Sequence, residues 1–96
     1  MTIWKLIPID INHRDWEASR YRGEVIIRAD SEEKARQVAA SAFRIAATKP
    51  PGEKLQSDPW KQAALVSAVE VMDESYTASG KVEILGPEEA RSYNNV

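Results

Sequence analysis

Cysteine is absent from this chain of 96 residues. That excludes thiol catalysis, cysteine-type zinc sites and iron–sulfur ligation, and it favours a reducing compartment, since small extracellular domains usually carry disulfides. Histidine occurs once, at His13, so a zinc site built from several imidazoles is excluded too. The four glycines, Gly23, Gly52, Gly80 and Gly86, are scattered. No dinucleotide fingerprint, phosphate-cradling loop or nucleophile elbow can be assembled from them. No apolar run approaches the ~20 residues that a membrane span needs. The first residues, Met1 to Leu6, lack the basic start and apolar core of a signal peptide. Charge of one sign is lacking as well. Thirteen basic residues face fifteen acidic ones, a net charge of −2, which argues against broad electrostatic binding to nucleic acid or anionic lipid. A soluble, cytoplasmic protein is expected, with no cofactor, no metal and no membrane association.

What is present is ordinary globular composition, 43% apolar and 29% charged. The length allows a single domain over 1–96 that buries somewhat over ~60% of its unfolded surface, with a stability of roughly 5–10 kcal/mol.

Alternation predicts a strand over 3–9, where Ile3, Ile7 and Ile9 alternate with Trp4 and Leu6. Pro8 cannot donate to a ladder and suggests an edge position or a bulge. A second strand follows over 21–29. Tyr21, Val25, Ile27 and Ala29 form its buried face, and Arg22, Glu24, Ile26 and Arg28 the other. The strongest pattern is a long helix over 31–48, capped by Asp30 with Glu33 completing a capping box. Its apolar stripe is Ala35, Val38, Ala39, Ala42, Phe43, Ile45 and Ala46, and Glu32 can pair with Arg36 one turn on. Lys49-Pro50-Pro51-Gly52 ends it. Asp58-Pro59-Trp60 opens a short turn, with Asp58 as cap. Strands over 65–73 and 81–85 are expected to pair as a hairpin across the polar turn 74–80. Residues 87–96 read as a short helical turn and a fraying polar tail.

The order β-β-α-β-β implies an α+β fold, a two-layer sandwich with one long helix on a mainly antiparallel four-stranded sheet. Four strands span ~15–19 Å. One helix is only ~10–12 Å across and cannot cover them. The remainder has to be covered by the loops carrying Trp16 and Trp60, by the C-terminal turn, or by a second copy of the chain.

Trp4-Lys5-Leu6-Ile7-Pro8-Ile9-Asp10, with Trp16, Ser19, Tyr21, Gly23-Glu24-Val25 and Arg28-Ala29-Asp30-Ser31-Glu32, forms a further pattern. It continues through Ala35-Arg36, Pro50-Pro51-Gly52 and Pro59-Trp60. Over residues 4–71 the chain resembles a group of short, functionally uncharacterised bacterial α/β proteins. The resemblance implies a bacterial cytoplasmic origin and a compact α/β domain, and it carries over no catalytic residue.

The segment 10–22 holds the candidate ligand-binding residues, His13, Arg14, Trp16, Arg20, Tyr21 and Arg22. It exceeds the usual hairpin loop, and long ordered loops are disproportionately functional. Its guanidinium groups can grip a carboxylate or phosphate while Trp16 or Tyr21 stacks on a planar group. His13 can act as a general base if Asp10 or Asp15 orients it. The plain alternative is that Trp16 plugs the sheet edge and the charges are solvated. The acidic pairs Glu32/Glu33, Asp73/Glu74 and Glu88/Glu89 lack calcium-loop spacing. Trp60, Ile3 and Ile7 are candidate interface residues, Trp60 having as its alternative a buried lid over the end of the helix.

Three readings follow. The first is a non-catalytic binding or regulatory module, self-associating as a homodimer or taking a protein partner through a sheet face or edge. The second is an anionic small-molecule binder or enzyme built on the 10–22 segment. The third is nucleic-acid binding through Arg14, Arg20, Arg22 and Arg28, disfavoured by the overall charge.

Overall fold

The computed structural model describes residues 1–45, 58–72 and 75–95. Strands β1 (Thr2–Pro8), β2 (Val25–Ala29), β3 (Val66–Glu70) and β4 (Glu83–Gly86) form a fully antiparallel sheet in the order β3-β1-β2-β4. Helix α1 (Glu32–Phe43) packs on one face. Short 3-10 turns at Arg14–Ala18 and Pro59–Lys61, and a C-terminal pair, α2 (Glu88–Arg91) and a 3-10 turn at Ser92–Asn95, complete the chain order. The α+β class and the antiparallel four-stranded sheet match the sequence reading. The helix length, the element order and the strand neighbours do not.

The expected hairpin between the last two strands is not formed: β3 and β4 occupy opposite edges. The reason lies in β1, which is apolar on both faces and is buried best with a strand on each side. It takes β2 on one flank (Leu6 opposite Val25) and β3 on the other (Leu6 opposite Ala68), leaving β4 only the far side of β2. Pro8 accordingly marks no edge. It lies beyond the last β1–β2 pair, Leu6–Val25, where no ladder bond is demanded of it.

Helix α1 is 12 residues long, shorter than the 31–48 expected. Arg44 already has an extended backbone (φ −64°, ψ 133°) and forms a bridge with Ser19. Arg20 N donates to Phe43 O and Ile45 N to Ala18 O, so the incoming 18–20 segment replaces the next helical turn as hydrogen-bond partner. At the other end Ser31, not Asp30, is the cap, its hydroxyl accepting from Lys34 N at 3.1 Å. Residue N3 is thereby Lys34, and no reciprocal carboxylate exists. The expected features at Ala46 and Pro50-Pro51-Gly52, and the pair Asp73/Glu74, lie outside the described residues.

Leu6, Val25, Ile27, Val66 and Ile84 form the buried floor of the helix-side core, roofed by Ala35, Ala39, Ala40 and Phe43 of α1. The helix is too narrow to finish the layer, and Trp16, Trp60 and Tyr93 from the short turns fill it out. No helix of the described residues is long and apolar enough to cross a membrane.

Candidate functional site

Two regions compete as sites: the 10–22 connection, and the sheet face opposite α1 together with its β3 edge.

Asp10, with φ +51°, turns the chain out of β1, and His13 N closes the turn on Asp10 O. His13 caps the 3-10 turn Arg14–Ala18, its Nδ1 accepting from Asp15 N at 3.1 Å. That lone pair is therefore committed to the backbone. The Asp15 carboxylate lies 3.8 Å from Nδ1 but accepts instead from Gln62 Nε2 at 3.0 Å, tying this turn to Pro59–Lys61. Trp16 is fully buried, its indole N–H donating to Ile9 O and its ring set edge-on to Trp60 at 5.3 Å. Ser19 is buried between two aromatic anchors: its hydroxyl donates to Tyr21 O at 2.6 Å and accepts from Trp60 Nε1 at 2.9 Å. Arg14, Arg20 and Arg22 are exposed. The connection thus sends its rings inward and its guanidinium groups outward. Of the six candidate ligand residues, Trp16 and Tyr21 belong to the core, and His13 is half-engaged as a cap.

Tyr21 packs on Phe43 (ring centroids 4.9 Å apart) and donates to Glu24 O at 2.7 Å. Burial, with the negative charges of Glu89 and Glu24 and the neighbouring Tyr93 adding to it, raises its phenol above the ordinary value of 10.0. A raised acid group stabilises the fold fully below its unfolded value, about pH 10, and that stability is lost as the pH climbs through the folded value. A spectrophotometric alkaline titration should therefore show one of the three tyrosines ionising late, coincident with loss of stability. Tyr21→Phe should remove the late step and flatten the alkaline decline, at a neutral-pH cost of about 1 kcal/mol for the lost hydrogen bond. An unchanged titration in that variant would reject the assignment.

The second region is the back face of the sheet. By register it carries Ile3, Lys5 and Ile7 of β1, Ile26 and Arg28 of β2, Ser67 and Val69 of β3, and Leu85 of β4. One end is covered. Arg28, 5% exposed, sends Nε to Lys81 O (2.8 Å), Nη1 to Thr77 O (3.0 Å) and Nη2 to the Glu83 carboxylate (2.6 Å), so the 75–82 segment is clamped over the sheet there. Ile3 is buried at this end and forms a shallow apolar groove with Val71, Met72, Tyr76 and Ala78. At the other end Ile7, Ile26 and Leu85 are half-buried, Val69 is 46% exposed, and Ile9 and Ile11 continue the apolar surface into the loop. Lys5 pairs with Glu24 at 3.3 Å on the same face.

Of the three candidate interface residues, Trp60 is fully buried, packed between Trp16 and Phe43 as a lid, Ile3 lies under the clamped segment, and Ile7 is on the open end. The sequence reading missed Arg28 and Arg36 as buried groups. Arg36 donates to the Glu32 carboxylate, to Trp60 O and to Val66 O, joining α1 to the start of β3. The one signal available beforehand was the Glu32–Arg36 spacing, which is realised at 3.0 Å. Among the described residues no group of three or more His, Cys, Asp or Glu side chains is placed to hold a metal ion.

No protein-family model, curated protein or solved structure matches this chain significantly, and its function is argued from its own residues.

Proposed function

We propose that this chain is a small, non-catalytic binding module of the cytoplasm whose first partner is a second copy of itself. The observation that carries the reading is the open end of the back face, where half-buried Ile7, Ile26 and Leu85 and exposed Val69 flank the Lys5–Glu24 ion pair. Apolar side chains left open on one face and rimmed by charge mark association sites. A second copy is the occupant favoured because Val69, the most exposed of these residues, lies on β3, an edge strand that two copies can bring together about a two-fold axis. The absence of cysteine supports the reducing compartment. The anionic-ligand reading has thinner support: the rings that would stack on a ligand are in the core, and Arg14, Arg20 and Arg22 are left as exposed side chains.

Light scattering over a hundredfold range of protein concentration tests the proposal. The expected result is a mass near twice 10.8 kDa at the upper end, falling toward the monomer on dilution. Val69→Lys, at an exposed position, should hold the monomer at every concentration with its unfolding midpoint little changed. A wild-type mass that stays at one chain throughout would overturn self-association.

A further inference from the structure

The two edges of the sheet are finished differently. On β4 the side chain of Asn94 acts as a substitute strand: Ile84 N donates to Asn94 Oδ1 at 2.9 Å, and Asn94 Nδ2 donates to Ile84 O at 2.8 Å. That edge is closed by the chain itself, one of the ways native sheets avoid unwanted pairing.

On β3 the hydrogen bonds fix which backbone groups face outward. Ile9 N donates to Leu65 O and Val71 N to Ile3 O, so odd-numbered residues of this strand bond inward to β1. The even-numbered ones, Val66, Ala68 and Glu70, turn their N–H and C=O away from the sheet. Val66 is already satisfied, its N–H by Gln62 O at 3.0 Å and its C=O by Arg36 Nη2 at 2.9 Å. Ala68 and Glu70 remain, four groups in all, with no partner among the described residues.

We infer that β3 pairs antiparallel with β3 of a second copy about a two-fold axis through Val69, so that Ala68 and Glu70 of each chain exchange backbone hydrogen bonds with Glu70 and Ala68 of the other. The inference rests on the self-association reading and places the contact at the β3 edge, with Val69 the one residue of the open back face at the junction. The geometry selects the axis. A two-fold at Ala68 would set Glu70 against Val66, whose groups are taken. A two-fold at Glu70 would oppose two carboxylates and pair Ala68 with Met72, beyond the strand. Only the axis at Val69 uses all four open groups and displaces nothing.

Side chains agree with this register. On the back face Val69 meets Val69, and Val71 meets Ser67 of the second copy, extending the apolar surface across the junction. On the helix-side face each Glu70 stands opposite Ala68 and diagonal to Glu70 of the second copy, about 7–8 Å apart, farther than the direct opposition that an axis at Glu70 would impose. The product is a continuous eight-stranded sheet with an Asn94-closed strand at both outer edges.

Cross-linking tests the register. At the axis the two Val69 residues form a non-hydrogen-bonded pair with Cα atoms about 4.5 Å apart. That separation lies within disulfide reach. Val69→Cys introduces the chain's only thiol. Under mild oxidation it should convert most of the protein to a covalent dimer that dithiothreitol reverses. Met72→Cys, at a position 99% exposed, is the control. Its two copies would lie six residues apart along the strands, about 20 Å, and should stay monomeric on a non-reducing gel. Ala68→Pro removes an outward N–H that the monomer does not use, and should abolish the dimer while leaving the far-ultraviolet spectrum unchanged. A dimer that forms no Val69 cross-link, or that survives Ala68→Pro, would overturn the edge register and leave self-association standing. A wild-type monomer would overturn both.

Discussion

Trp60→Ala is expected to take away between about a third and the whole of the fold's stability. The side chain has no exposure and stands between the Trp16 and Phe43 rings, at 5.3 and 5.2 Å. Truncating a buried tryptophan costs about 3–5 kcal/mol, because lost transfer energy and the cavity left behind add together. A chain of this size commands roughly 5–10 kcal/mol, so the loss is a large fraction of the total. Two milder variants separate ring from hydrogen bond. Trp60→Phe keeps most of the buried area and removes the indole donor. Ser19 Oγ then loses one partner but still donates to Tyr21 O, and a cost of about 1 kcal/mol is expected. Ser19→Ala is worse, at about 1–3 kcal/mol, because it strands the indole N–H in an apolar enclosure and frees the Tyr21 carbonyl. The double variant Ser19→Ala/Trp60→Phe should cost less than the sum of the two singles, since the stranded donor is gone. Equilibrium denaturation in urea gives all four values. Additive costs would mean that the 2.9 Å contact between Trp60 and Ser19 contributes nothing.

This cluster shows how far the sequence carried. A strand periodicity of two put Tyr21, Val25, Ile27 and Ala29 on one face, and all four are buried. A periodicity of 3.6 found Ala35, Ala39 and Phe43, and width arithmetic showed that one helix could not cover four strands. The loops carrying Trp16 and Trp60 do cover the gap. Their meeting point, Ser19, was illegible, since a serine in a polar segment gives no local sign of a tryptophan 41 residues on.

Strand neighbours were harder to read, for a physical reason. Proximity in sequence favours a hairpin between β3 and β4 because closing a short loop costs little entropy. Tertiary burial of the doubly apolar β1 outweighs that local preference. Arg28 was misplaced by the same route. Alternation with Glu24 and Ile26 marks it as solvent-facing, and that is correct for an isolated strand. Only the passage of 75–82 over the sheet turns the position into an enclosed one. The β3 edge, in contrast, is a property of hydrogen-bond parity, which no residue type encodes.

Arg28→Met should open the segment that Arg28 clamps. The guanidinium reaches three acceptors that no single point charge can satisfy together: the carbonyls of Lys81 and Thr77 and the carboxylate of Glu83. Methionine fills much of the volume but leaves the Glu83 carboxylate, 30% exposed, without its cation. Breaking a buried pair from one side costs about 3–5 kcal/mol, and the partial exposure of Glu83 places this case near the lower figure. Arg28→Lys should fall between, keeping the charge and losing the fork. Arg28→Met/Glu83→Gln should regain part of the loss by removing the orphaned charge. Gly80 offers an independent approach. It sits at φ +126°, where an L side chain is strained, and an added Cβ would lie 2.6 Å from Arg28 Nη2. Gly80→Ala should therefore loosen the same contact without touching the arginine. The distinguishing measurement is local: amide exchange within 75–82 should accelerate in both variants more than exchange in β1 or α1, and trypsin should cut sooner at Lys81. Uniform acceleration across the chain would mean that Arg28 supports the whole sheet and not this segment. Selective opening has a functional consequence, because Ile3 lies beneath the segment and would join Ile7 and Val69 as exposed apolar surface on the back face. Arg28 thus governs how much of the back face is apolar and open, while the β3 edge, two strands away from it, is untouched, so association through that edge should change little even as the fold weakens.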